Sequence, residues 1–363
     1  MYSQMVQTEQ QAKSLRNVAE VQSFLAQVAA ALTAKPFKPH FAFQSGHAQT
    51  LAAYMWPRRY RLQRLPPDEQ RLFEIEPHVK VMAHCRWQND RQKHSTIVIW
   101  HGMEGSTSSI YMIATAAKAF RAGFNVVRVN YRNCGGTEHL TPTLYHGGLS
   151  SDLRVVVNQL IENDGLKRIF LLGFSLGGNM VLKLAGEYGE DAPPEVVAVC
   201  AVLPSVDLQA STELILRRRN WIYHKTFVRS LKKRIRLKQK LFPDLYDLRE
   251  LPRIRTVREF DEQFTSIASG FANADDYYYR ASSVRVIASI RIPTLIIHSQ
   301  DDPFIPFDPL RQTAFSENPY ILLHGTGRGG HVAFVSATRS SEDRFWAENR
   351  AIDFFQLASD ALG

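Results

Sequence analysis

Short apolar runs alternate with amphipathic stretches along most of the chain. Seven runs rich in Val, Ile, Leu and Phe have the length of buried strands: residues 80–86, 96–100, 124–130, 168–172, 196–203, 292–298 and 320–324. Helical periodicity occurs between several of them. Continuous apolar strands separated by helices are typical of a mostly parallel sheet. The pattern therefore predicts an α/β fold, a mostly parallel twisted sheet with helices on both faces.

The first part of the chain departs from this alternation. Residues 1–35 are predicted to form a helical extension, in which a glutamine-rich start precedes apolar positions at helical spacing: Val18, Val21, Leu25, Val28 and Leu32. Pro36 ends the pattern. We expect this stripe to pack on the domain or on a second copy of the chain, in preference to anchoring at a membrane surface.

A second departure lies between the sixth and seventh apolar runs, where the interval is too long for one helical crossover. It is predicted to hold a cap, inserted into a single core. The predicted organisation is therefore a helical extension over 1–35, a first core part over 36–204, a helical basic cap over 205–290 and a second core part over 291–363.

The cap contains a strongly basic stretch in which Val228, Leu231 and Ile235 recur at helical spacing. Its cations occur without an intervening acid: Arg217, Arg218, Arg219, Lys225, Arg229, Lys232, Lys233, Arg234, Arg236, Lys238 and Lys240. Three explanations stay open. They are a solvated face on a lid, attraction to anionic lipid headgroups or a charged ester, and nucleic-acid binding, which the pI near 9.4 supports and which is the least expected.

Candidate chemistry begins with Ser175. It lies between Gly173 and Gly177, after an apolar run and before a helical pattern, which is the context of a nucleophile elbow. The flanking glycines permit the sharp turn that exposes the hydroxyl, because they lack a Cβ atom. Ser175 is therefore the candidate nucleophile.

An acid and a histidine should follow the serine in that order. Asp302 comes just after the run 292–298, and His331 follows a glycine-rich stretch after the run 320–324. The glycines before His331 would let its imidazole swing toward Ser175. We expect His331 to act as general base and Asp302 to orient it.

Other residues compete for these roles. Asp301 is the neighbour of Asp302, and in an extended segment only one of the two side chains can reach the histidine; we favour Asp302. Histidines also occur near other strand ends and glycine turns, at His324, His298, His101 and His146. A lone histidine is usually structural, and none of these combines the expected order with a glycine-rich approach.

An oxyanion hole needs two peptide N–H donors. One follows the nucleophile and belongs to Leu176. The other is expected from the loop after the run 96–100, and we assign it to Met103 in the segment His-Gly-Met-Glu-Gly-Ser at 101–106.

Several blocks together resemble the AB hydrolase 4 family, the YheT-like branch of the α/β-hydrolase superfamily. They are 46–51 (GHAQTL), 101–106 (HGMEGS), 130–137 (NYRNCGGT), 173–179 (GFSLGGN), 301–304 (DDPF) and 329–331 (GGH). The resemblance implies an α/β-hydrolase fold and a serine hydrolase of carboxylic esters, with Ser175, Asp302 and His331 matching the family's triad. Asn133 stands where the family more often has glycine.

Composition agrees with this interpretation. The 363 residues, 45% of them apolar, can bury a full core. Three cysteines without paired spacing suggest a reducing compartment, and no apolar run approaches a membrane span, so a cytoplasmic location is expected. No cofactor is implied. No metal site is implied either, since no His, Cys or Asp cluster, including His139 and His146, has the spacing of zinc ligands.

The predicted function is hydrolysis of carboxylic esters, either short-chain esters or acylglycerol-type lipids, through an acyl-enzyme on Ser175. Acyl transfer to an alcohol uses the same triad and stays open as the alternative. The expected partner is a small-molecule or lipid ester, with transient contact to an anionic membrane surface. The oligomeric state is left open.

Overall fold

The computed structural model describes residues 15–56, 66–337 and 342–362. Within them one sheet contains eight strands, which are β1 (Glu69–Glu76), β2 (Val79–Arg86), β3 (Thr96–Trp100), β4 (Asn125–Val129), β5 (Ile169–Phe174), β6 (Val196–Val202), β7 (Thr294–Ser299) and β8 (Ile321–Thr326). The strand order is β1-β2-β4-β3-β5-β6-β7-β8. β1 and β2 are antiparallel, β2 pairs antiparallel with β4, and the rest of the sheet is parallel.

Each of the seven predicted apolar runs contributes a strand, and the α/β fold is confirmed. The central strands β3, β5 and β6 are buried at every position, which explains their uninterrupted Val, Ile, Leu and Phe. The prediction omitted β1. In this edge strand Phe73 and Ile75 are buried while most of the remaining positions are charged or polar and exposed, so it carries little apolar signal.

The helices connect the strands and cover the sheet. They are α1 (Val18–Ala34), α2 (Gly46–Met55), α3 (Ile110–Arg121), α4 (Ser150–Glu162), α5 (Leu176–Tyr188), α6 (Leu208–Ile215), α7 (Trp221–Leu241), α8 (Val257–Phe260), α9 (Ser266–Ala268), α10 (Ala274–Ala281), α11 (Thr313–Ser316) and α12 (Trp346–Leu362). One group joins α1, α3 and α12, and another joins α4 and α5. Phe170 of β5 stacks on Phe355 of α12, with ring centroids 5.1 Å apart.

The helix α1 packs on the body of the domain. Asn17 caps it by accepting hydrogen bonds from the N–H groups of Ala19 and Glu20. The face that contains Phe24 is buried, and the Phe24 ring lies 5.7 Å from that of Phe354 on α12. Val18, which the periodicity placed on this stripe, is 43% exposed. The glutamine-rich start, residues 1–14, lies outside the described residues.

The interval between β6 and β7 is largely helical and has an apolar cluster of its own. The chain there forms α6 to α10 and a π-helical turn, Asp261–Thr265. Val228, Leu231 and Ile235 of α7 are buried in this second cluster, as their spacing predicted. None of the helices in the described part of the chain is long and apolar enough to cross a membrane.

The charges on α7 do not all face solvent, so a solvated lid face, one of the three explanations for the basic stretch, does not account for every cation in it. The side chain of Arg234 is 11% exposed, and Lys238 is fully buried. The Lys238 ammonium donates to the carbonyl oxygens of Glu138 and Thr141 in a loop of the core. Burial lowers the pKa of Lys238 to about 8. These two cations fix α7, and with it the helical segment between β6 and β7 that we call the cap, to loops of the rest of the domain, so they are not part of an open basic surface.

Candidate active site

Ser175 stands at a strained turn between β5 and α5. Its backbone has φ 55° and ψ −116°, a conformation that costs energy for a residue with a side chain. A Cβ atom on Gly173 would lie 2.1 Å from the carbonyl oxygen of Gly177, and one on Gly177 would lie 2.6 Å from the carbonyl oxygen of Trp100. Only glycine fits at either position, so the two glycines make the turn possible.

His331 and Asp302 form a hydrogen-bonded pair. The Nδ1 atom of His331 lies 2.8 Å from Oδ2 of Asp302, whose side chain is fully buried. The other carboxylate oxygen accepts from the N–H groups of Phe304 at 2.7 Å and Ile305 at 3.0 Å. Burial acts to raise the pKa of Asp302, but the His331 charge and these hydrogen bonds outweigh it and leave that pKa lowered. Asp302 is therefore ionised at neutral pH.

Asp301 has a different set of contacts. Its Oδ1 accepts from the N–H of Gly330 at 3.1 Å, so it holds the peptide that precedes His331. Gly330 has φ 64°, and a Cβ there would lie 2.4 Å from the carbonyl oxygen of Gly46. Asp301 therefore contacts the loop backbone, while Asp302 contacts the imidazole.

Ser175 and His331 line the same cavity, which has a volume of about 680 Å³. Because Nδ1 of His331 is bonded to Asp302, Nε2 is the ring nitrogen left for a reacting group. The Phe304 ring lies 4.7 Å from the imidazole and limits its rotation. Of the three residues that the sequence predicted, Asp302 and His331 are in contact, and His331 shares the cavity wall with Ser175.

The loop after β3 has its peptide direction fixed by hydrogen bonds. The carbonyl oxygen of Gly102 accepts from the N–H of Gly105 at 3.0 Å and contacts Nδ1 of His101 at 2.7 Å. In a trans peptide the next N–H points the opposite way, so these bonds also direct the N–H of Met103. Within the described residues no acceptor is bonded to the N–H of Met103 or of Leu176, and both residues line the cavity.

Glu104 ties this loop to the cap. Its Oε1 accepts from the Tyr145 hydroxyl at 2.8 Å and from Nε of Arg234 at 3.0 Å, and its Oε2 accepts from the Ser230 hydroxyl. The Glu104 side chain is 6% exposed, so the ion pair is buried. Two α7 side chains thereby hold the residue next to Met103, a connection that sequence reasoning missed.

The block 46–51 also contributes to the site. The hydroxyl of Thr50 accepts from the N–H of His331 at 2.9 Å, and Gln49 binds the backbone of Val335 through both its amide nitrogen and its amide oxygen. A Cβ on Gly46 would lie 1.8 Å from the carbonyl oxygen of Asp301. These contacts position the histidine loop. The only signal in the sequence was the family resemblance of the block.

The competing histidines have structural contacts. His101 accepts from the Tyr131 N–H through Nε2, and burial lowers its pKa to about 4. Burial likewise lowers the pKa of His298 to about 4 and that of His146 to about 3, while it lowers the pKa of His324 to a smaller extent. His146 lines the cavity, but its Nδ1 accepts from the N–H of Gly148 at 3.1 Å.

Asn133 adopts φ 63° and donates from Nδ2 to the Thr143 carbonyl oxygen at 2.6 Å. Asparagine tolerates this left-handed region better than most residues, which accounts for its presence where the resembling family has glycine.

One buried acid lies in the cap wall of the cavity. Asp261, in the π-helical turn, accepts hydrogen bonds from the hydroxyls of Thr265 and Tyr278, each at 2.7 Å. Burial raises its pKa to about 6. In the described residues no group of three or more His, Cys, Asp or Glu side chains is arranged to hold a metal ion.

The eight-stranded sheet and the strand-to-helix turn that carries Ser175 are typical of α/β hydrolases, and comparison with known families agrees. A family model described as the alpha/beta hydrolase fold matches residues 95–338. The chain belongs to this family.

Two curated relatives extend the comparison. YheT of Escherichia coli, whose name marks it as a candidate esterase, is 30% identical over 90% of this chain and 94% of that protein. The monoacylglycerol lipase of Saccharomyces cerevisiae is 30% identical over 73% of this chain, and the match spans only 60% of that lipase. A solved esterase from Pyrococcus furiosus shares the fold, with a TM-score of 0.53 and 19% identity over 82% of this chain and 91% of that one.

Proposed function

We propose that the protein is a serine hydrolase of carboxylic esters that forms an acyl-enzyme on Ser175. The observation that carries the proposal is the 2.8 Å contact between buried Asp302 and His331, whose imidazole lines the same cavity as the elbow serine. A nucleophile, a base and an acid that orients the base, here Ser175, His331 and Asp302, are the groups that acyl transfer requires.

In the proposed reaction Nε2 of His331 takes the proton of the Ser175 hydroxyl as its oxygen attacks the ester carbonyl. Asp302 keeps Nδ1 protonated and stabilises the imidazolium that forms. The N–H groups of Met103 and Leu176 bind the developing oxyanion, each donor contributing about 3–4 kcal/mol at the transition state. The imidazolium then protonates the leaving alcohol. Water, activated by the same imidazole, cleaves the acyl-enzyme and frees Ser175.

The cavity supports a substrate with an apolar acyl part. Its walls are mainly apolar and aromatic, with side chains such as Leu208, Ile215, Phe227, Phe260 and Ile305. Burying each further CH₂ group of an acyl chain stabilises binding by about 0.8 kcal/mol. We therefore propose medium-length acyl esters or acylglycerol-type lipids as the substrate class, in keeping with the named activity of the yeast relative.

The test is turnover of p-nitrophenyl esters of increasing chain length by the wild type and by Ser175→Ala. We expect kcat/KM to rise from acetate toward octanoate, and Ser175→Ala to lose a factor of about 10⁴–10⁶ in kcat while it keeps the wild-type melting temperature. Hydrolysis that persisted in a folded Ser175→Ala variant would contradict the proposal. Product analysis in buffer that contains an alcohol would separate hydrolysis from acyl transfer.

A further inference from the structure

The cavity opens to solvent between α2 and α7. Among the residues that line it, the exposed ones are Leu51 and Tyr54 on α2 and Ile222 and Thr226 on α7. The two helices meet there through His47 and Tyr223, whose rings stack with centroids 5.7 Å apart. The exposed lining residues therefore mark the mouth through which a substrate enters.

The mouth is bordered by large apolar side chains that the described residues do not cover. Tyr54 is 83% exposed, Ile222 62% and Trp221 55%. We call Leu51, Tyr54, Trp221 and Ile222 the mouth rim. Scattered apolar residues are normal on a protein surface, but a group of them around the entrance of an apolar cavity marks an interaction site.

Cations surround the α7 side of this rim. Arg217, Arg218 and Arg219 precede Trp221, and Lys225 lies one turn after it, with its ammonium 5.3 Å from the Trp221 ring centroid. All four are exposed, and no carboxylate of the described residues forms a salt bridge with them. They differ from Arg234 of α7, whose charge is buried against Glu104.

We propose that the mouth rim and the cations beside it dock on an anionic lipid surface, so that acyl chains pass from the membrane into the cavity. Exposed aromatic and aliphatic side chains beside arginine and lysine are the combination that binds at such an interface. A second copy of the chain would bring like charges together, and nucleic acid would leave the aliphatic side chains without a partner. The inference extends the proposed function by naming where the substrate is presented.

The experiment measures binding to vesicles of phosphatidylcholine with and without 30% phosphatidylglycerol, by sedimentation at low and high salt. We expect binding to the anionic vesicles that weakens with salt. Trp221→Ala and the triple variant Arg217/Arg218/Arg219→Gln should each weaken it at least fivefold. The matched controls are Leu237→Ala and Lys233/Arg236/Lys240→Gln, which change exposed residues farther along the same helix and should change binding less than twofold.

Equal losses in the rim variants and their controls would overturn the assignment of the surface, as would binding of the wild type to neutral and anionic vesicles alike. Dimer formation abolished by Trp221→Ala, without vesicle binding, would replace the membrane with a second copy. Because sedimentation requires no turnover, it tests docking even if the protein proves not to hydrolyse esters. Hydrolysis of a dissolved short ester by the wild type and by the control Leu237→Ala, expected at equal rates, tests the chemistry separately.

Discussion

The loops at the carboxyl edge of the sheet and the cap contribute to the cavity in different ways. The loops hold the proposed reacting groups, in part by short-range backbone contacts such as that at Gly102, whose carbonyl oxygen accepts from the N–H of Gly105. The cap supplies apolar walls and one buried acid, Asp261. The two regions meet at Glu104, beside Met103, where Arg234 of the cap forms a buried ion pair. In the proposed function the loops therefore supply the chemistry and the cap the selectivity, and the two regions are joined at the proposed oxyanion hole.

The largest expected effect lies on the loop side of this comparison. Asp302→Asn should lower kcat by about 10⁴, because an amide favours the wrong tautomer of His331. Asp301→Asn should cost less than about 10², since Asp301 holds only the Gly330 peptide. Steady-state kinetics on one short ester measures both. A larger loss in Asp301→Asn would move the orienting role to that residue.

Breaking the ion pair between Arg234 and Glu104, which joins the two regions, should have a smaller effect on rate and a clear effect on stability. Removing Arg234 leaves the Glu104 carboxylate buried without its cation, so Arg234→Gln should lower the free energy of unfolding by about 3 kcal/mol. We expect kcat to fall about tenfold for short and long esters alike, because Glu104, the neighbour of Met103, loses a contact with α7 and the loop that carries the Met103 N–H is held less firmly. Urea unfolding and ester kinetics measure the two effects.

The control for Arg234→Gln is Arg253→Gln, which breaks an exposed ion pair with Glu250 and should lower the free energy of unfolding by less than about 0.5 kcal/mol. If Arg234→Gln changed KM for long esters but left kcat unchanged, Arg234 would belong to the cap's substrate wall and the coupling to the oxyanion loop would be wrong.

The smallest effect is expected within the cap alone. The Asp261 pKa rises from 3.8 unfolded to about 6 folded, so stability is lost as pH rises from about 4 through 6, where the unfolded chain releases this proton and the folded chain still holds it. Asp261→Asn should therefore be more stable than the wild type by about 2 kcal/mol at pH 8. That advantage should shrink steeply as pH falls from 6 to 4, because the folded state then holds the proton and the unfolded carboxylate, with its pKa of 3.8, begins to take it up as well. Thermal unfolding between pH 4 and pH 8 measures it, with exposed Asp244→Asn as control; an advantage independent of pH would contradict the account.

The loop region was predictable from sequence because its chemistry is local. A Cβ atom on residue 173 or 177 would lie 2.1 or 2.6 Å from a backbone carbonyl oxygen, so both positions require glycine. These two glycines flank Ser175 in the sequence and mark it as the candidate nucleophile. The sheet was predictable because its central strands are uninterrupted apolar runs in the sequence. Strand β1 was not predictable, because an edge strand with only two buried positions has little apolar content.

The cap was less predictable because tertiary partners decide what its charges do. Arg234 and Lys233 are adjacent and equally basic, yet Arg234 is buried against Glu104, 130 residues away in the chain, and Lys233 is exposed. The same limit applies outside the cap to Thr50 of α2, whose hydrogen bond with the N–H of His331 spans 281 residues and was not predictable from local sequence. Periodicity identifies which side of α7 is apolar, but it does not identify which cations meet a carboxylate of the core.

The central claim is a covalent intermediate on Ser175, and mapping of a trapped adduct tests it most directly. The wild type is treated with a fluorophosphonate, digested and analysed by mass spectrometry, with Ser175→Ala treated in parallel. The account predicts one phosphonylated peptide, the one that contains Ser175, and no adduct in the variant. An adduct on another serine, or ester hydrolysis that proceeds without any adduct at Ser175, would contradict it.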